Sequence, residues 1–290
     1  GRTAAVFAAP TDPYTQALLA CRAGAAPRGQ RLPVIADFMP GGDAPRETCI
    51  PASTRTPVAT APPPATDDAP LLRVQHLSKI FRLRNGLFAR RDHVAVQDAG
   101  FTLARGETLG IVGESGSGKT TLALTLLRLL PADGGQAFVD GTDVLALDAR
   151  AFHPWRRRMQ IVFQDPYASL NPRLTAGQIL LEPMRIHGIG ADDRERHRIA
   201  HDLLARVGLP AAAMQRYPHE FSGGQRQRLA IARCLTLRPE LLVLDESVSA
   251  LDVSVQAQVL NLLTDLQREY ALTYLFISHD LGVVHHMADQ

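Results

Sequence analysis

The run Gly113-Glu114-Ser115-Gly116-Ser117-Gly118-Lys119-Thr120 carries the strongest chemical signal in this 290-residue chain. It fits the spacing G-x-x-x-x-G-K-[ST]. Glycines at these positions let backbone N–H groups turn toward a phosphate that a side chain would block. Lys119 would reach the β- and γ-phosphates, and the Thr120 hydroxyl would ligate Mg²⁺. Thr121 continues the helix expected to start at Lys119, and that helix N-terminus adds partial positive charge at the same anion.

Two further groups could act with this cradle. Leu241-Leu-Val-Leu-Asp245-Glu246 places a pair of carboxylates at the end of an apolar strand. In open α/β sheets, ligands bind beyond the carboxyl ends of strands, which turns both acids toward the phosphate loop. Asp245 would hold Mg²⁺, and Glu246 would polarise an attacking water as general base. Ser222-Gly223-Gly224-Gln225 offers a second anion site, a serine N-cap followed by glycines that bare N–H groups. Alone, the acid pair could be a solvated turn and the serine with its glycines an ordinary helix start. With a phosphate loop in the same chain, the functional readings gain weight.

These motifs need elements to hold them. Glu107–Val112 reads as a strand and Lys119–Leu130 as a helix, stopping where Pro131 and the Gly134-Gly135 pair break the pattern. Leu241–Leu244 is a short buried strand. A helix follows over 253–270, with Val255, Val259, Leu262 and Leu266 on one face, and Leu272–Ile277 is another buried strand. Strand–helix–strand repeats predict a mostly parallel sheet covered by helices. The stretch from Thr175 to Arg233 reads as helical throughout, an insertion into that core.

Composition narrows the class. An apolar fraction of 46% suits a globular protein with a sizeable core, and a net charge of +2 gives no drive toward nucleic acid or membrane surfaces. Cys21, Cys49 and Cys234 lack metal-ligand spacing, and an odd number argues against a disulfide framework and for a reducing compartment. The longest apolar run, Leu122–Leu130, is broken by Arg128 and is too short to span a bilayer. Residues 51–70, rich in proline, alanine and threonine, read as an extended linker between a short segment (1–50) and a long one (71–290).

Taken together, the motifs resemble those of ABC ATPases. Ser222–Gln225, preceded by Phe221 and followed by Arg226-Gln-Arg-Leu-Ala-Ile-Ala-Arg233, is similar to the family signature. The resemblance implies that the signature contacts ATP held by an opposite subunit. By the same likeness, Gln164 in Ile161-Val-Phe-Gln-Asp-Pro166 matches a glutamine that senses γ-phosphate and Mg²⁺. Asp252 in Ser249-Ala-Leu-Asp252 matches the loop that crosses the dimer interface, and His279 in Phe276-Ile-Ser-His-Asp280 matches the switch histidine. Phe81 lies where the family stacks an aromatic ring on adenine. The implied fold is an α/β P-loop NTPase (RecA-like) core with an antiparallel β subdomain and an inserted helical subdomain over about residues 166–233. The implied catalytic set is Glu246, His279, Gln164 and Lys119, with ATP and Mg²⁺ as ligands.

Within that family, Gln164-Asp-Pro-Tyr-Ala-Ser-Leu-Asn-Pro172 and Asp252-Val-Ser-Val-Gln-Ala-Gln258 look like the dipeptide, oligopeptide and nickel importer group. Ser247 in place of proline and Phe221 in place of leucine depart mildly. Residues 6–19, with Pro10-Thr-Asp-Pro-Tyr-Thr-Gln, are similar to the tail that follows the catalytic core in this group. The resemblance therefore implies the tail of an upstream ATPase domain (1–50), a linker (51–70) and a second, C-terminally truncated ATPase domain (71–290). The tail's Cys21 and Cys49 are too few for the iron–sulphur cluster that some family tails carry. Implied partners are a second ATPase domain, upstream in the same chain or in a homologous subunit, transmembrane permease subunits and, indirectly, an extracytoplasmic solute-binding protein. The implied location is the cytoplasmic face of the inner membrane.

A soluble ABC ATPase acting on DNA or ribosomes is the rival reading, opposed by the lack of a coiled-coil insertion and zinc cysteines. A non-enzymatic adaptor is the other, opposed by the intact Lys119, Asp245, Glu246 and His279. Arg156–Arg158 and Arg82, Arg84, Arg90 and Arg91 read as solvated faces rather than a nucleic-acid surface. His285-His286 reads as an exposed helix pair and Trp155 as structural.

Overall fold

The computed structural model describes residues 3, 7, 9–23, 30–39, 69–85 and 89–290. Cys49, residues 51–68 of the expected linker, and the side chains of Arg84 and Arg90 lie outside them.

Two sheets organise the chain. In the first, β1 (Leu72–Asn85) pairs antiparallel with both β2 (Ala89–Leu103) and β4 (Gly134–Val139), and β5 (Thr142–Asp143) closes the order β2-β1-β4-β5. The second is parallel throughout, in the order β3-β8-β7-β6, with β3 spanning Thr108–Val112, β8 Thr273–Ser278, β7 Leu241–Asp245 and β6 Met159–Val162. β7 and β8 are buried along their whole length, as central strands covered on both faces must be. The α/β core and antiparallel subdomain expected from the sequence are both present.

Helices cover the parallel sheet: α2 (Lys119–Leu126), α3 (Ala149–Arg158), α7 (Gly223–Leu235), α8 (Val253–Tyr270) and α9 (Leu281–Met287). A short α1 (Pro13–Ala20) precedes β1 in the chain. α2 stops at Leu126 rather than continuing to Leu130. Arg128 turns left-handed (φ 56°), and the N–H groups of Leu129 and Leu130 both return to the Leu124 carbonyl at 2.8 and 3.1 Å. The Arg128 side chain explains the early stop. It donates to the Val144 carbonyl at 3.1 Å and stacks over Phe152 at 4.5 Å, contacts that another helical turn would forbid.

The helical insertion is real but interrupted. α4 (Pro166–Ser169), α5 (Ala176–Ile186) and α6 (Asp193–Arg206) precede α7, and the links between α5, α6 and α7 are not α-helical. Gly188, Gly190 and Gly208 take positive φ at those breaks. Asp192 and Ser222 cap the helices that resume, accepting from the backbone N–H of Glu195 and Gln225; Thr175 caps α5 in the same way, accepting from Gln178 N–H. The local 3.6-residue apolar pattern hid these breaks from a sequence reading.

An ion-pair network joins the two sheets. Arg158 at the end of α3 donates from Nε to Glu240 Oε1 at 2.5 Å and from Nη2 to Asp140 Oδ2 at 2.9 Å. Arg105 donates to Glu240 at 2.8 Å and also pairs with Asp140. Asp140 follows β4 in the first sheet and Glu240 precedes β7 in the second. Arg158 is thus no solvated side chain, and Arg157 donates to the Leu237 carbonyl at 3.1 Å. His286 is buried, against the sequence expectation, on the same side of α9 as the buried Val283 and Met287, while His285 is exposed. Burial, and then His285, holds the His286 imidazole below its ordinary value.

The network makes a pH-dependent contribution. The Arg158 hydrogen bond chiefly holds Asp140 below its ordinary value. Burial pushes Glu240 up, yet the Arg158 and Arg105 guanidiniums outweigh it and the net shift is downward. Both carboxylates therefore stabilise the fold fully above their unfolded values of 3.8 and 4.5, and that stability is lost as pH falls through the lowered folded values. Arg158→Ala should cost about 1 kcal/mol at neutral pH, discounted for solvent screening. It should also flatten the acid limb of the stability curve. Urea titrations between pH 3 and 7 check both.

Candidate nucleotide site

Strand register assembles the site. Val112 pairs with Ser278, Asp245 with Ile277, and Val162 with Leu244, so β3, β8, β7 and β6 end together along one edge. The residues immediately after them are Gly113, His279, Glu246 and, two beyond β6, Gln164. Motifs far apart in sequence thus share the carboxyl edge of one sheet.

The loop after β3 wraps around Lys119. Its ammonium, on a side chain only 6% exposed, donates to the carbonyls of Gly113 and Glu114 at 2.8 Å each. Glu246 Oε1 lies 3.7 Å away. Gly116 and Gly118 hold φ of 84° and 94°, the left-handed region that favours glycine. Gly118 has a second reason. A Cβ there would lie 2.0 Å from the Ala95 carbonyl oxygen on β2, so the antiparallel sheet presses directly on the loop. Glu114, Ser115, Gly116 and Ser117 are exposed at its rim, and Thr121 is half-buried one residue past Thr120.

Glu246 is the hub. Gln164 Nε2 donates to its Oε2 at 3.1 Å, and His279 Nδ1 stands 3.3 Å from the same oxygen. The backbone of Glu246 is left-handed (φ 45°), a costly conformation for a residue with a Cβ. Its N–H donates to the Ile277 carbonyl at 2.9 Å, and its carbonyl accepts from the Ser249 hydroxyl at 2.8 Å, which fix it there. Ser249 was not assigned a role from sequence. Asp165 and Asp280 were missed too. Each follows a site residue and caps the next helix, Asp165 accepting from Tyr167 N–H at 2.8 Å and Asp280 from Gly282 N–H at 2.8 Å. The readable signal for both was an acid directly before a helix start.

Asp245 and Thr120 form the third part. The Thr120 hydroxyl donates to Asp245 Oδ1 at 3.1 Å, and Asp245 is 2% exposed. Burial pushes its carboxyl up. The Thr120 hydrogen bond opposes this, Glu246 adds to it and Lys119 subtracts. Among the described residues no group of three or more His, Cys, Asp or Glu side chains forms a metal cage. Mg²⁺ fits such a site, since it is held by one or two protein oxygens with substrate phosphates and water completing its shell.

Phe81 is half-buried on β1, opposite His93 on β2, two residues along that strand from Ala95, whose carbonyl abuts Gly118. Its ring also lies 5.5 Å from the Lys79 ammonium, itself paired to Asp133 at 2.7 Å. The Ser222 hydroxyl accepts from Gln225 N–H at 3.3 Å while Gln225 Oε1 accepts from Ser222 N–H at 3.2 Å, a reciprocal cap on α7. Gly223 is open, its nearest neighbour to a built Cβ being Leu251 at 3.9 Å. A Cβ on Gly224 would meet Val255 Cγ1 of α8 at 2.3 Å. Asp252 caps α8, accepting from Ser254 and Val255 N–H at 3.1 and 3.0 Å.

The family model for ABC transporter matches residues 96–249, more than half of the chain and inclusive of the phosphate loop, signature and acid pair. The chain belongs to the ABC transporter family. The glutathione import ATP-binding protein GsiA of Salmonella paratyphi A is 46% identical over 299 residues, covering 98% of this chain and 44% of that protein. The chain thus spans less than half the length of that relative. A "probable peptide ABC transporter ATP-binding protein" of Sinorhizobium fredii is 54% identical over 219 residues, 75% of this chain and 62% of its own length. A dimeric ATP-binding cassette solved in a post-hydrolysis state with ADP and Pi is similar in structure. Its TM-score is 0.65 at 28% identity, with 73% of this chain and 89% of that one covered. The ABC cassette therefore has the fold that the sequence resemblance implied.

The glycine geometry orders three substitutions. Gly118→Ala and Gly224→Ala should each lower unfolding free energy by about 1–3 kcal/mol, since neither a fixed carbonyl nor a packed valine can yield freely. Gly223→Ala should stay within about 0.5 kcal/mol. Urea unfolding of the three variants checks the order.

Proposed function

We propose that this ABC cassette binds and hydrolyses ATP to power a membrane importer of peptides or peptide-like solutes such as glutathione. One observation carries the hydrolytic part of this reading. Lys119, Gln164 and His279 converge on Glu246 at the strand edge that the phosphate loop borders.

In this reading the loop N–H groups and Lys119 hold the phosphates. Phe81 stacks on adenine. Glu246 accepts the proton of the attacking water, oriented by Gln164 and His279. Thr120, Asp245 and Gln164 would hold Mg²⁺, which when bound supplies charge neutralisation at the β- and γ-phosphates. The carboxylate pair closes on Lys119 and Thr120 in the chain by itself. A nucleoside triphosphate would take over the Lys119 ammonium and free Glu246 to face water. Ser222–Gln225 and Asp252 complete the site of a second cassette across a dimer interface. That arrangement is supported by the exposed Gly223 and by the dimeric state of the structural relative.

The domain reading is part of the proposal. Residues 1–50 are the tail of an upstream ATPase domain, 51–70 the linker and 71–290 a second ATPase domain with its helical subdomain over about 166–233. It is supported by one continuous match that takes in 98% of this chain yet 44% of its relative. Solute choice rests on the names of relatives that import glutathione or peptides. No helix among the described residues is long and apolar enough to cross a membrane. The proposed placement, which rests on the import roles named for its relatives, is peripheral, at the cytoplasmic face of a permease fed by a solute-binding protein.

The test is steady-state ATP hydrolysis by the parent protein, wild type beside Glu246→Gln. Glu246→Gln should retain ATP binding and turn over at least about a hundredfold slower. Equal rates would remove Glu246 as the base.

A further inference from the structure

The period of apolar residues in α8 accounts for one buried face, yet α8 is buried on more than one. Ala257, Leu260, Asn261 and Leu263 are buried beside Val259, Leu262 and Leu266. Residues from the first segment cover the extra face. Ala17 of α1 and Cys21 just after it, with Leu32 and Ile35, belong to the same apolar cluster as these α8 residues, and Phe38 and Met39 pack against it.

At the centre of this contact lies a polar group that an apolar helix face would not tolerate unpaired. Asn261, 3% exposed, accepts from the Leu32 N–H through Oδ1 at 2.9 Å and donates from Nδ2 to the Leu32 carbonyl at 2.8 Å. One side-chain amide thus satisfies both backbone groups of one residue, as a neighbouring β-strand would. Arg31 and Asp265 add a rim pair at 3.2 Å, one helical turn along. The apolar side chains of Leu32 and Ile35 set which residue meets Asn261, and the amide fixes the register.

We propose that this outer face of α8 is an interaction surface that reads an extended segment through its main chain. Residues 30–39 fill it as a strap holding the first segment on the cassette. Resting on the tandem reading above, the occupant is the tail of one ATPase unit seated on the next. The strap then fixes the tail of the upstream unit at one place on the next cassette while the nucleotide sandwich between cassettes opens. Asn261 lies nine residues beyond Asp252, about 13 Å along α8, so the contact can be altered without touching the phosphate-binding residues.

Hydrogen exchange on the 290-residue chain tests the strap. In wild type, the amides of Leu32 and of Val34 through Phe38 should exchange at least about tenfold slower than in the free 30–39 peptide. Asn261→Leu, which keeps the branched shape and removes both hydrogen bonds, should abolish that protection while leaving β7 and β8 protected. Should Asn261→Leu unfold the cassette, Leu32→Asp decides, since it alters only the strap. Loss of protection confined to residues 9–39 supports the proposal. Exchange at the free-peptide rate in wild type, or protection unchanged in Leu32→Asp, overturns it. Intact mass of the parent protein separates the two readings. A parent with no cassette ahead of residue 1 removes the tandem reading and leaves the strap standing.

Discussion

The common ending of four parallel strands is the constraint on which the site depends. Hydrogen bonding along β3-β8-β7-β6 brings Gly113, His279, Glu246 and Gln164 to one edge. Side chains alternate faces along a strand, so a slip of one residue in β7 would turn Asp245 away from Thr120 and bury Glu246 elsewhere. The complete burial of β7 and β8 is what forbids that slip, because a shifted strand would carry a carboxylate into the core. Core packing is therefore a condition of the chemistry.

The second dependence is electrostatic. A buried ammonium and two carboxylates, one nearly inaccessible, share a small volume. Each is costly to bury alone, and each is held by polar partners: loop carbonyls for Lys119, a threonine hydroxyl for Asp245, and amide and imidazole groups for Glu246. A site so balanced favours an incoming polyanion with its cation, because that pair replaces the internal contacts without leaving a charge unpaired.

Legibility from sequence followed the range of the interactions concerned. The phosphate loop, the acid pair and α8 are local patterns, and the structure places them where spacing put them. The end of α2 was missed because Arg128 is drawn to Val144 and Phe152, partners remote in sequence. His286 was misread for a similar reason, since the short α9 sets which of two adjacent histidines faces inward only once it packs on the sheet. Arg158 looked like one member of a solvated run until Asp140 and Glu240, on different sheets, closed around it. Asn261 gave no signal at all. An asparagine among leucines on a helix becomes intelligible only with Leu32 beside it.

The contact between Gly224 and Val255 has an evolutionary consequence. With 2.3 Å between a built Cβ and the valine γ-methyl, the two positions share one methyl-sized volume. In related chains that keep this crossing of α7 and α8, any side chain larger than glycine at 224 should coincide with a smaller one at 255. The pair should therefore covary. A glycine kept at 224 would then record the packing of two helices as much as the approach of a phosphate.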